Sequence, residues 1–117
     1  MELKEVLESL GVDYEVLKER FSYNENLLRK FILKFPGDDC YHQLQLAVES
    51  EDYETIMRMA HTLKGLAANL GFDQLSFKCN DLVQYLRENG RDDVIKLNRA
   101  IGEEYNRIIT GLALIDD

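Results

Sequence analysis

The sequence holds a single proline, Pro36, in 117 residues, with no strand-like alternation of β-branched residues and no low-complexity segment. The first absence leaves helices uninterrupted over most of the chain, and the others exclude a sheet protein and a repetitive one. No apolar run approaches the length of a membrane span, and the opening MELKEVLESL carries charges where a signal peptide needs an apolar core. Basic residues are also scarce. Fourteen Lys and Arg face 22 Asp and Glu, a net charge of -8 whose field repels phosphate backbones and anionic membranes, so neither nucleic acid nor a membrane is expected as a partner. Cysteine is limited to Cys40 and Cys79, too far apart for a CxxC pair. They are read as free thiols, used as small packing residues in a reducing compartment, and a cytoplasmic location is expected. Cys40 and His42 form a C-x-H triplet, but nothing nearby completes a four-ligand set, so no metal and no resident cofactor are expected. The chain lacks a GxxxxGK phosphate loop, a nucleophile elbow and paired HxxxH or HExxH histidines, and it is therefore not read as an independent enzyme.

What remains is a chain that is 45% hydrophobic and 31% charged, within the globular range and sized for one domain over residues 1–117. Apolar residues recur at three and four throughout, which makes the fold class all-α. Leu3, Val6, Leu7 and Leu10 mark a short helix ending at Gly11, and Asp13 caps a second short turn to about Phe21. Leu27, Leu28, Phe31, Ile32 and Phe35 predict a helix from Asn24, broken at Pro36, with apolar spacing resuming at Tyr41, Leu44, Ala47 and Val48. Asp52 caps a helix from Tyr53 to about Leu70 that Gly71 ends. Leu75, Cys79, Leu82 and Leu86 form the stripe of the next helix, closed by Asn89-Gly90. Asp92 or Asp93 then caps a last one through Val94, Leu97, Ile101, Tyr105, Ile108 and Leu112. Short connections make neighbours antiparallel, so the expected architecture is an up-and-down antiparallel four-helix bundle over residues 24–113, with a short N-terminal helical appendage over residues 1–23.

On a wheel of about 100 degrees per residue with His61 at zero, Ile56, Met59, Leu63, Leu66, Ala67 and Leu70 fall roughly between 140 and 240 degrees, the predicted core face. Met57, Lys64, Gly65 and Ala68 fall within about 60 degrees of His61, which places the histidine on the solvent side. Gly65 costs about 0.5 to 1 kcal/mol against alanine inside a helix, a cost that packing on an exposed face does not explain. A bare flank lets another protein's backbone approach the ring, and Lys64 brings an ammonium within reach of a group attached to it. A neutral imidazole is a competent nucleophile near pH 7, and attack on a phosphoryl donor depends mainly on alignment and neutralisation of oxygen charge.

The stretch Ala60-His61-Thr62-Leu63-Lys64-Gly65-Leu66-Ala67-Ala68-Asn69-Leu70-Gly71 resembles the signature of the histidine-containing phosphotransfer (HPt) family. Leu17 to Phe21, Asn24-Glu25 and Leu27 to Phe35 resemble the opening segment of bacterial HPt domains, and Leu75, Cys79 and Leu82 resemble the helix paired with the histidine helix; the likeness covers about residues 12 to 113. It implies a phosphoprotein in a two-component phosphorelay, with His61 exchanging a phosphoryl group with an aspartate of a response-regulator receiver domain, without ATP. Lys64 would stabilise the phosphoryl group, and Gly65, Ala68 and Met57 would form the docking flank. Asn80 or Gln84 would orient the ring from the facing helix. Partners would be a receiver domain, a hybrid sensor kinase or both, with Mg²⁺ on the receiver. Where the family often has a serine shortly after the motif glycine, this chain has Leu66, Ala67 and Ala68.

Two alternatives accompany this expectation. One is the phosphoaccepting module of a chemotaxis-type histidine kinase, although no linker or kinase segment is seen in the 117 residues; the other is a non-catalytic helical adaptor binding through an apolar groove. An acidic surface and a complete bundle lead to the expectation of a monomer.

Overall fold

A computed structural model describes residues 1–116; Asp117, the last residue of the expected domain, lies outside them. Among the described residues seven α-helices follow one another: α1 (Leu3–Ser9), α2 (Tyr14–Arg20), α3 (Glu25–Lys34), α4 (Cys40–Glu49), α5 (Tyr53–Asn69), α6 (Asp73–Arg87) and α7 (Val94–Leu112). No strand occurs among the described residues, so the all-α class stands. A 3₁₀ turn, Phe35–Gly37, separates α3 from α4 where Pro36 removes a backbone donor. Helices α4 to α7 form the bundle. Helix α5 packs most extensively on α6, α4 and α7 flank that pair, and a lighter α4–α7 contact closes the ring.

Side-chain caps are seen at three starts, the expected Asp13 and Asp52 and, in addition, Asn24. Asp13 accepts from the Val16 amide (3.2 Å), Asn24 from Leu27 (3.0 Å) and Asp52 from Thr55 (3.2 Å). Helix α5 stops in a Schellman arrangement: the Gly71 amide donates to the Ala68 carbonyl and the Phe72 amide to that of Ala67, with Gly71 at φ +83 and Phe72 buried behind it. Helix α7 begins differently, because Asp93 occupies the cap position without a side-chain bond and its amide instead donates to the Tyr85 hydroxyl (2.8 Å). At the end of α6 it is Asn89, at φ +65, that takes the left-handed conformation; Gly90 lies against the Tyr85 ring, which a Cβ there would strike.

The core runs through every helix, with Leu7, Leu17, Leu28, Ile32, Leu44, Ile56, Leu63, Leu75, Leu82, Ile101 and Ile108 fully buried. Phe35 lies against Phe72 and Tyr105, and Tyr41 stacks on Tyr105 at 3.8 Å. Two expectations for α3 need correction. Leu27 and Phe31 were placed in its stripe but are 39% and 43% exposed, because the helix buries only the narrow line of Leu28, Ile32 and the following Phe35. Phe31 instead packs on Phe21 of the α2–α3 turn. The N-terminal helices also reach the far end of α5, where the Arg20 guanidinium donates to the carbonyls of Ala68 (2.8 Å) and Asn69 (2.9 Å).

Candidate functional site

Helix α5 carries the candidate histidine at its middle, two turns from either end. Its core face is Ile56, Ala60, Leu63, Ala67 and, past the last turn, Leu70, all at most 2% exposed, whereas Met59 and Leu66 are only half-buried. The buried arc is therefore turned from the predicted one toward Ala60. Ala60 and Ala67 are small enough to let a neighbouring helix pack close over that side, and Lys64, adjacent to them on the wheel, bonds to Ser76 and Asn80 of α6.

The opposite face remains open. His61 is exposed, as are Arg58, Thr62 and Gly65, while Met57, Lys64 and Ala68 line the half-buried edge. A Cβ built on Gly65 meets nothing within 4 Å, so the flank beside the ring is bare backbone facing solvent. No hydrogen bond to the His61 ring forms among the described residues, which leaves its unprotonated nitrogen available as a nucleophile.

Lys64 is held rather than free. Its Nζ donates to Asn80 Oδ1 of α6 at 3.2 Å, and its backbone carbonyl accepts from the Ser76 hydroxyl at 3.0 Å. Asn80, expected at the ring, is thus engaged by the lysine. Gln84, one turn further along α6, is exposed and forms no hydrogen bond among the described residues; Val83 between them is fully buried. Sequence reading missed Ser76, a buried polar residue beside the apolar stripe of α6 and one turn before Asn80; that spacing was the available signal.

Other chemistry is weakly supported by the geometry. Burial pushes the Cys40 thiol up to about 11 and the Cys79 thiol up to about 12, the reverse of what a reactive cysteine needs. His42 is exposed on α4, and among the described residues no group of three or more His, Cys, Asp or Glu is placed to hold a metal ion. The surface hollows lie elsewhere, one beside Tyr14 and Glu25 and another beside Gly71 and Arg107. Neither of these hollows is lined by His61, whose ring stands exposed on α5. No helix is long and apolar enough to cross a membrane among the described residues.

Among known families, the one described as Hpt domain matches residues 35–111, about two thirds of the chain, a span that includes α5, α6, nearly all of α7 and the contacts of Lys64. No curated protein and no solved structure matches the chain.

Proposed function

The chain belongs to the Hpt domain family, a family of histidine phosphotransfer modules of phosphorelays, and on that premise we propose that His61 is the phosphoacceptor, exchanging a phosphoryl group with an aspartate of a response-regulator receiver domain. The observation that carries this reading is the combination on one helix of an exposed, unpartnered imidazole, a glycine flank with open space above it, and a lysine one turn on.

In the accepting direction, the unprotonated ring nitrogen attacks phosphorus of the receiver's acyl phosphate. An N–P bond forms as the O–P bond breaks, the receiver regains its carboxylate, and the proton on the other ring nitrogen stays in place. The transition state spreads negative charge over three equatorial oxygens, and the Lys64 ammonium offsets part of it. Mg²⁺ on the receiver would neutralise the rest. Gly65, Ala68 and Met57 form the flank over which the receiver seats, and the bare Gly65 lets its backbone come close. The chain then acts as a stoichiometric carrier without ATP. A monomeric, cytoplasmic protein is part of the same proposal, supported by two buried free thiols and an acidic balance.

The test is incubation with a panel of phosphorylated receiver domains in Mg²⁺, following acid-labile, alkali-stable label on this chain. Label that requires His61 is expected. A folded protein that binds receivers yet takes no label would instead make the chain an adaptor.

A further inference from the structure

We infer that Asn80 is a positioning residue for phosphotransfer, acting through Lys64 rather than on the His61 ring. This rests on the phosphocarrier reading above and adds a device that holds the lysine before phosphate arrives.

The inference starts from how both ends of one lysine are fixed by a single neighbouring helix. Ser76 and Asn80 lie one turn apart on α6; the serine hydroxyl binds the Lys64 backbone carbonyl and the asparagine amide oxygen binds the Lys64 ammonium. A lysine side chain ordinarily samples many rotamers, and ordering it at the moment of reaction opposes the rate. Here the ordering is done when the protein folds.

The chemistry of the holding group matters as much as its place. The chain has 22 carboxylate side chains and 14 basic ones, yet among the described residues Lys64 forms no ion pair and its partner is a neutral amide. An ammonium donates only, so the amide must present its oxygen, which fixes the orientation of Asn80 as well. A carboxylate in the same place would hold Lys64 equally well but cancel its charge and repel an incoming phosphoryl dianion. An amide orients the ammonium and leaves its full charge to act. Because Lys64 follows His61 by three residues on one face, that charge is kept beside the site where the phosphoryl group forms.

The experiment compares label transfer from a phosphorylated receiver to the full chain and to Asn80→Ala, Asn80→Asp, Lys64→Ala and the double Asn80→Ala/Lys64→Ala variant. Helicity and melting are followed for each, and the nearly isosteric aspartate serves as the folded control should alanine disturb packing. Asn80→Ala is expected to slow transfer about three- to tenfold, and Asn80→Asp more than that. In the Lys64→Ala background, removing Asn80 should slow transfer no further, since its effect passes through the lysine. A wild-type rate in Asn80→Ala, a faster Asn80→Asp, or the same slowing with and without Lys64 would each overturn the assignment while leaving the carrier reading intact. A wild-type chain that takes no label from any receiver would remove both.

Discussion

Replacing Gly65 by alanine should make this protein more stable and a poorer phosphate acceptor, a pairing that few substitutions produce. Glycine in a helix interior costs about 0.5 to 1 kcal/mol relative to alanine, chiefly through the freedom it gives the unfolded chain. At Gly65 nothing opposes recovery of that energy, because an added Cβ meets no atom within 4 Å and the residue lies in regular helix. For a domain of this size the gain corresponds to a rise in Tm of about 2 to 5 °C. Gly65→Leu should be about as stable, since leucine is a good helix former and the added atoms extend into solvent. Function should move the other way. Transfer from a phosphorylated receiver should fall with side-chain bulk, on the order of a hundredfold for leucine, because about an ångström of misplacement between reacting groups is worth that much. A small donor such as phosphoramidate needs no docking and should label His61 in all three proteins at similar rates. Thermal melts and the two labelling reactions, run side by side on glycine, alanine and leucine, separate these effects. Receiver-dependent transfer that survives leucine would refute the bare-flank reasoning, and a drop in Tm for alanine would refute the structural basis for it.

His61→Gln should eliminate label from both receiver and small donor while leaving circular dichroism and Tm close to wild type, because the side chain is exposed and unbonded. Asp52→Ala should lower Tm by removing the cap of α5. The Asp52 carboxyl lies below its ordinary value because the Thr55 hydroxyl and amide bond its charged form. Its contribution is therefore present above the unfolded value near 3.8 and lost as pH falls through the lower folded one, so the gap between wild type and variant should narrow in acid melts below about pH 4.

Most of the architecture was legible because periodicity and punctuation agreed. Asp52 and Gly71 bracketed α5 to within a residue, and Pro36 marked the break between α3 and α4. The rotation of α5 was less so: a wheel places residues relative to one another but is silent on which neighbour packs hardest, and Ala60, left out of the predicted core face, is fully buried. Leu27 and Phe31 misled for the related reason that a short helix at the edge of a bundle buries only part of an apolar stripe. At the site, the wheel put His61, Lys64 and Gly65 on one flank of a helix, but spacing left their role open and only the resemblance to the HPt signature suggested one. The partner of Asn80 could not, since the contact crosses between helices 16 residues apart and depends on their register.

The Arg20 guanidinium, seated on the last carbonyls of α5, ties the motions of two distant stretches of chain. A helix terminus normally frays, and its final amides exchange with solvent at little cost. Here opening the end of the histidine helix requires detaching a cation that also complements the negative end of its dipole. Amide exchange near Ala68 should accordingly report on the anchorage of α2, 48 residues earlier. A segment lying before the matched residues 35–111 thereby takes part in holding the end of the helix that carries His61.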